Sequence, residues 1–446
     1  MVQAAEYIMV SGNLSDYLEL FRSHTKTLLQ ERQTQTISDY HLSVHTAWQI
    51  SFSKLSHVAT TLLQLCAFMH HDGISEAIFK NAAAAKLDAP NIATADFLQH
   101  FLDAQGNWDH FLFLNVAKEL QSCSLVDFEA TDRVISIHPL VHTWCRTTIT
   151  ECEPTRAITQ FLLGMSIKWD FQPDDYAFRR SLLPHIDNAL QGGNDDALWN
   201  NMAMTPDIYA KLALVYKESG FWNASEKLDI AVMETRKKSL GGEHPDTLQS
   251  MANLAATYRS QGQWKEAEMM EVQVMEKRKE LLGEEHPDTL SNMANLATTY
   301  WNQGQWKEAE MLQVQVMEKT KQLLGEDHPD TLRSMVNLAV TYGGQGQWKE
   351  AEMLQVQVME KIKQLLGEEH PDTLTSMANL AATYGDRSQW EKAEVLEVQV
   401  MEKRKQLLGE DHPDTLRSMA NLAATYRNQG QWKKAEILEM QMMKMQ

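Results

Sequence analysis

The sequence repeats itself every 42 residues over its C-terminal part. The pentapeptide HPDTL begins at His244, His286, His328, His370 and His412. Between these marks each unit reads approximately SMANLAxTYxxQGQWKEAE, followed by VQVMEK and LLG. A fixed period of this size is typical of solenoids, in which one unit buries its apolar surface only against its neighbours. Residues 202–243 keep the register but lack HPDTL, as expected of a terminal repeat.

Each period predicts two helices, called helix A and helix B below. Proline after the histidine suits the first helical position, where the missing N–H costs nothing. Apolar residues three and four apart then give helix A one core face, which in the first full repeat is Leu248, Met251, Leu254, Ala255 and Tyr258. After the break at 261–263, the core face of helix B is Trp264, Ala267, Met270, Val274 and Leu281. Gly283 ends helix B.

The repeats resemble the tetratricopeptide repeats of kinesin light chains. The resemblance is carried by NLAxxY in helix A, by G-x-[WY]-xx-AE at the turn and by LG-x-x-HPDT at the link, over about 245 residues. It implies a right-handed superhelix of about six helix pairs whose concave groove binds a protein or peptide. The predicted repeats are 202–243 (degenerate), 244–285, 286–327, 328–369, 370–411 and 412–446. The heptad coiled coil of kinesin light chains is absent from the sequence.

The first 200 residues resemble the end of the NB-ARC module of STAND-class NTPases, as in fungal proteins that join this module to such repeats. The likeness is carried by VQAAEYI with SDYLELF, by TAWQISFSKL and by VISIHPLVHTWCR. It implies a helical remnant of the module over 1–35, a winged-helix-like domain over 36–150 and a helical joint over 151–201. The given sequence is therefore expected to begin after the nucleotide-binding core of such a module. If a core precedes it, the chain is an N-terminally truncated fragment of a switch ATPase.

A β-hairpin is predicted inside the winged-helix-like region, where SLVDFE and VISIH flank a short turn at 130–133. Helices are predicted from Leu55 to Met69 and from Trp108 to Leu120. The fold class is therefore all-α: an α-solenoid of 42-residue period, preceded by a helical or winged-helix region with one β-hairpin.

Composition argues against several functions. The formal net charge is -19, which disfavours nucleic acid and anionic membranes as partners. Four cysteines without a CxxC pair fit a reduced, cytoplasmic setting. The motifs GxxxxGK[ST], GxSxG and HExxH are missing from the sequence, so we expect no enzyme activity, no cofactor and no metal. His138 and His142 alone supply too few ligands for zinc.

One helix A position is asparagine in all five marked repeats, two residues after the core methionine: Asn253, Asn295, Asn337, Asn379 and Asn421. We call this set the asparagine column. In tetratricopeptide superhelices this face lines the groove, and the resemblance implies that these amides hold a peptide backbone. A primary amide offers both a donor and an acceptor for that purpose. The alternative is that these asparagines only bond neighbouring helices.

Arginines are predicted on the same face, against one acid, Asp386. They are Arg259, Arg333, Arg417 and Arg427. A locally basic groove would favour an acidic partner. The last helix ends in EMQMMKMQ without a polar cap, so self-association through the C-terminal helix is also expected.

His138 takes the place of the histidine in the "MHD" segment of the resembled module, which implies a vestigial contact to nucleotide phosphate. The alternative is a histidine that only ends a wing strand. The function predicted overall is a peptide-binding scaffold, the sensor end of a STAND-type signalling protein. The alternatives are a kinesin-light-chain-like cargo adaptor and a part of a switch ATPase.

Overall fold

The computed structural model describes residues 48–85, 92–150, 152–169, 173–191 and 206–445. The predicted helical remnant at 1–35 lies outside the described residues. The described chain is helical except for one small sheet, which confirms the predicted fold class. It divides into two compact units, Met1–Ser239 and Leu240–Gln446, and each is described by itself.

Within the described residues, the first unit has three strands and nine helices with both ends described, and residues 48–53 are also helical. In chain order they are α1 (His57–Cys66), β1 (Ile74–Ser75), α2 (Glu76–Ala84), α3 (Ile92–Gln99), α4 (His110–Ser122), β2 (Asp127–Glu129), β3 (Val134–Ser136), α5 (Pro139–Thr148), α6 (Cys152–Ser166), α7 (Pro173–Leu190), α8 (Pro206–Glu218) and α9 (Trp222–Leu240). The predicted helices near Leu55 and Trp108 are α1 and α4, each shifted by two residues at its start.

The predicted hairpin is present, and it belongs to a larger sheet. Strands β2 and β3 pair antiparallel, with Phe128 opposite Ile135. Strand β1 pairs with the other edge of β3, with Ile74 opposite Ile135. All three apolar side chains are buried and join a core that includes Trp144. Strand β1 was not predicted, because two residues are too few to show an alternating pattern.

The second unit consists of five helix pairs. The A helices are α10 (Pro245–Ser260), α12 (Pro287–Asn302), α14 (Pro329–Gly344), α16 (Pro371–Asp386) and α18 (Pro413–Asn428). The B helices are α11 (Trp264–Leu282), α13 (Trp306–Leu324), α15 (Trp348–Leu366), α17 (Trp390–Leu408) and α19 (Trp432–Met445). The A helices begin at the predicted proline, and the first four B helices end directly before a glycine.

The HPDT segment caps the start of helix A and ties it to the link before it. His244 Nδ1 accepts a hydrogen bond from the Asp246 amide at 3.2 Å, so the histidine is the N-cap of helix A. The hydroxyl of Thr247 donates to the Gly241 carbonyl at 2.8 Å, which ties the new helix to the preceding link. The same histidine cap recurs in every marked repeat. Such a side-chain cap satisfies one of the amides that a helix leaves unpaired at its start.

The apolar core is built between repeats. Leu290, Met293 and Val316 are buried together, and Met275 from the preceding helix B packs against them. Each fully buried side chain of this size stabilises the fold by roughly 1.5–3 kcal/mol. The prediction that Leu281 joins the core is wrong, because that side chain is 51% exposed.

Polar motif residues also join neighbouring repeats. Gln303 Nε2 donates to the Trp264 carbonyl at 3.0 Å and to Glu268 Oε2 at 2.9 Å, so the QGQW turn of one repeat holds the KEAE segment of the repeat before it. Lys319 Nζ lies 3.4 Å from Glu284 in the preceding link. Such bonds across 35 residues leave no local periodicity in the sequence, so they cannot be predicted from it.

Candidate functional site

The asparagine column lies on the side of helix A that faces away from the core. The stripe through Gln249, Asn253, Ala256 and Ser260 is half-buried or exposed, whereas Leu254 beside it is fully buried. In the other repeats the column residue is half-buried at Asn295 and Asn337 and exposed at Asn379 and Asn421. The three- and four-residue spacing along one helix and the 42-residue spacing between helices produce this array.

The column amides are largely unused within the chain. Asn253 accepts a hydrogen bond from Gln249 Nε2 at 3.0 Å through its side-chain oxygen. The side chains of Asn295, Asn337, Asn379 and Asn421 make no hydrogen bond to any described residue. Their donors and acceptors therefore face solvent at one-repeat intervals, which is the arrangement that an extended chain could use.

Arg259 is not a free groove cation. Its Nε lies 3.4 Å from Oε1 of Glu271, a buried carboxylate of helix B, and its Nη1 donates to the Asn295 carbonyl at 3.2 Å. The Thr299 hydroxyl donates to the other oxygen of Glu271 at 2.6 Å. Burial raises the pKa of Glu271, while Arg259 and Thr299 oppose that rise. Arg259 therefore joins its own repeat to the next one.

The other three predicted arginines are also paired with carboxylates. Arg333 reaches Asp330, and Arg417 reaches Asp414, each at 2.8 Å within the first turn of helix A. Arg427 forms an ion pair with Glu439 of the last helix B. Glu271 and Glu439 were not counted on this face in the sequence interpretation because they come from helix B, whereas Asp330 and Asp414 come from the first turn of helix A itself. The face is therefore charge-balanced around the arginines.

One repeat lacks the arginine and keeps the acid. Gly385 stands where Arg259 stands in the first repeat, and Glu397 is the equivalent of Glu271. Thr425 hydrogen bonds to Glu397, but Oε2 has no hydrogen-bond partner among the described residues. Burial raises the pKa of this carboxyl group. The two middle repeats carry glutamine at this position and avoid the buried charge.

His138 is a helix cap in the first unit. Its Nδ1 accepts a hydrogen bond from the Leu140 amide at 3.2 Å, at the N-terminus of α5. It lines an open cavity together with His71, Asp72 and Asp127. The capping role accounts for a histidine at this position without a ligand.

Two further histidines are buried nearby: His142, considered in the sequence only as a zinc ligand, and His185, which no sequence motif marks. His142 Nε2 lies 2.9 Å from the Met69 carbonyl, and His185 Nε2 lies 3.1 Å from the Gly73 carbonyl. Burial lowers the pKa of each imidazole to about 4. Both rings are therefore neutral at physiological pH and bind the turn segment that leads into β1.

In the parts of the chain that the structure describes, no group of three or more His, Cys, Asp or Glu side chains could hold a metal ion. Among the same residues, no helix combines the length and apolarity required to cross a bilayer.

Family models decide the nature of the repeats. Two models of the tetratricopeptide repeat match, one at 207–246, 247–288 and 415–446 and the other at 289–361 and 336–406. This chain is a tetratricopeptide repeat protein. A model described as a domain of unknown function (DUF7779) matches residues 50–153 of the same repeat protein. A comparison with curated proteins finds no match.

Solved structures similar to this repeat protein include a Podosopora anserina protein designated a kinesin light chain with nearly identical TPR-like repeats. It is 35% identical, the match covers 46% of this chain and 96% of that chain, and the TM-score is 0.42. BtubC (BKLC) from P. vanneervenii is 19% identical, with coverages of 55% and 90% and a TM-score of 0.40. A signal transduction ATPase with numerous domains (STAND) and a tetratricopeptide repeat sensor, from Pyrococcus horikoshii, is 12% identical, with coverages of 97% and 69% and a TM-score of 0.35.

Proposed function

We propose that this protein is a non-enzymatic scaffold that binds an extended peptide segment along the asparagine column. The observation that carries the proposal is the row of unused amides from Asn295 to Asn421, one in each repeat. A primary amide can donate to a peptide carbonyl and accept from a peptide N–H, so it recognises main chain whatever the side chains are. Each such bond contributes about 0.5–1.5 kcal/mol net.

The pairing of the arginines bears on the ligand's charge. An acidic partner was predicted from unpaired arginines, but Arg259 is half-buried against Glu271 and the other three have carboxylate partners. We therefore propose main-chain recognition as the principal source of affinity. Acidic side chains on the ligand would have to compete with Asp330 and Asp414 for exposed guanidinium groups.

For the biological setting, we propose the sensor end of a STAND-type signalling protein. The support is the sequence resemblance of VISIHPLVHTWCR and the preceding segments to the end of an NB-ARC module. A kinesin-light-chain-like cargo adaptor is the second candidate, supported by the NLAxxY and HPDT motifs of the repeats. Co-precipitation with a kinesin heavy chain would favour the second candidate over the first.

Peptide selection on the full chain tests the binding face. Peptides from a random display library are selected on the wild-type protein and then measured against the triple variant Asn295→Ala, Asn337→Ala and Asn379→Ala. We expect affinity to fall roughly tenfold to a thousandfold, from three lost hydrogen bonds. The melting temperature should change little, because these side chains make no bond to other described residues.

A matched control removes three exposed amides from helix B: Gln273→Ala, Gln315→Ala and Gln357→Ala. This control should leave peptide affinity unchanged. The groove assignment is wrong if the control loses affinity and the asparagine variant keeps it. A much lower melting temperature of the asparagine variant would instead make the column structural.

The proposal that the chain is not an enzyme has a separate test. His138 is a helix cap, and the sequence holds no GxxxxGK[ST] loop to bind phosphates. Calorimetric titration of the chain with ADP or ATP should therefore show no micromolar binding. Such binding would favour the switch-ATPase alternative.

A further inference from the structure

The B helices of the second unit expose a regular column of apolar side chains. One position in each B helix is large, apolar and between 53% and 71% exposed; the five residues are Met269, Met311, Met353, Val395 and Ile437. We call them the apolar column. Each is 42 residues from the next, so they recur at the same place on successive helices. A recurrent exposed apolar surface of this kind marks an interaction site more often than single exposed residues do.

The charges that flank the apolar column are unpaired, unlike most charges of the repeats. Lysines lie four residues before it, at Lys265, Lys307 and Lys349, and glutamates lie seven residues after it, at Glu276, Glu318 and Glu360. These six side chains form no ion pair with any described residue. By contrast, Lys277, Lys319 and Lys361 are bound by acids of the links.

The charged and apolar residues of this surface follow the same symmetric order along each of the first three B helices. In the first, Lys265 is followed by Met269, then by half-buried Val272, then by Glu276. In a helix of 3.6 residues per turn these four positions fall within an arc of about 60°. The midpoint between Lys265 and Glu276 is also the midpoint between Met269 and Val272. The surface is therefore balanced about a line that crosses each of these helices midway between the exposed methionine and the valine.

We propose that this face binds a second copy of the chain through a two-fold axis that runs along the stack of helices. That rotation reverses the direction of the facing B helices. The lysine of one copy then meets the glutamate of the other, and each methionine packs on the valine of the other copy. A two-fold interface requires such a self-complementary surface.

The first three repeats form the centre of this interface. The order Lys, Met, Val, Glu is complete there, whereas the fourth repeat has Glu391 at the lysine position. A partner of different sequence could bind this face with complementary charges of its own. It would not require a lysine and a glutamate at equal distances from one midpoint of each helix. Methionine side chains adapt to a facing surface, which suits a contact made of identical units.

Sedimentation velocity of the full chain over a range of micromolar concentrations tests the proposal. The lysine variant carries Lys265→Glu, Lys307→Glu and Lys349→Glu, and the glutamate variant carries Glu276→Lys, Glu318→Lys and Glu360→Lys. Each places like charges face to face, so each alone should dimerise roughly tenfold or more weakly than the wild type. The two variants mixed in equal amounts should form a heterodimer, since lysines again meet glutamates. Circular dichroism establishes that both remain folded.

Phe111→Gln, which removes a large apolar side chain that is 65% exposed in α4 and lies outside the apolar column, is the control and should leave dimerisation nearly unchanged. The proposal is overturned if the wild type is a monomer at every concentration. It is equally overturned if the charge variants dimerise like the wild type, or if Ile437→Gln alone abolishes the dimer, which would assign self-association to the C-terminal helix.

Discussion

Ser388 occupies a backbone conformation that the other repeats reserve for glycine. It lies in the turn between helices A and B of the fourth repeat, with a φ of 58°. The equivalent residues are Gly262, Gly304, Gly346 and Gly430, with φ of 76° or 77°. A side chain in the left-handed region costs about 1–2 kcal/mol. Glycine removes that cost but adds about 0.5–1 kcal/mol of backbone entropy to be lost on folding.

We therefore expect Ser388→Gly to stabilise the fourth repeat by about 0.5–1 kcal/mol, as the difference of these two effects. The reciprocal change, Gly304→Ser, should destabilise the second repeat by a similar amount. A Cβ built at Gly304 meets no atom within 4 Å, so this cost would come from the backbone alone. The two substitutions thus measure one conformational preference in opposite directions.

Native-state hydrogen exchange is the suitable assay, because a repeat array need not unfold in one step and exchange reports each helix separately. Slowly exchanging amides of α16 and α17 should gain protection in the Ser388→Gly variant. Amides of α12 and α13 should lose protection in the Gly304→Ser variant. The reasoning is refuted if Gly304→Ser leaves exchange unchanged, or if Ser388→Gly accelerates it.

Three further outcomes follow from contacts described above. Arg259→Ala should destabilise the second unit by about 3 kcal/mol, since it leaves Glu271 buried without its cation; chemical denaturation checks this against the wild type. The folded-state pKa of His142 and His185 is about 4, below the ordinary 6.5, so the unfolded chain binds more protons in this interval. The free energy of unfolding of the first unit should be highest above pH 6.5 and fall as the pH drops toward 4, by on the order of 2–3 kcal/mol for each histidine. Thermal melting at several pH values across this range measures the fall. Replacement of both histidines by glutamine should remove most of this pH dependence. Deletion of residues 328–369 should leave a folded, helical protein of lower stability, whereas complete loss of the circular dichroism signal would contradict the solenoid.

The helices could be predicted because their determinants are local. Apolar residues at helical spacing, proline after His244 and glycine at 283 each act within a few residues of the chain. The contacts between repeats could not be predicted from the sequence. Gln303 reaches Glu268 across 35 residues, and nothing nearby in the sequence marks the pair.

The sequence predicts where the residues of the candidate site lie, but not how their charges are paired. The place of Asn295 on the solvent side follows from its offset to Met293, which is buried as expected. The charge state of the face did not follow, because the carboxylates that pair with Arg259 and Arg427 come from a different helix. Net charge assigned to one helix face in a helical array therefore has to include the neighbouring helix.

The bonds from Gln303 to Glu268 and from Lys319 to Glu284 have a consequence for how such a gene can change. The second and third repeats have equivalent bonds, with Gln345 on Glu310 and Lys361 on Glu326. These joints are therefore alike, although Arg387 replaces the glutamine and pairs with Glu352 in the fourth repeat, and a 42-residue unit inserted or deleted among the first three repeats recreates a joint that already exists. Unequal recombination within the repeats can thus lengthen or shorten the asparagine column in whole steps without a compensating mutation elsewhere.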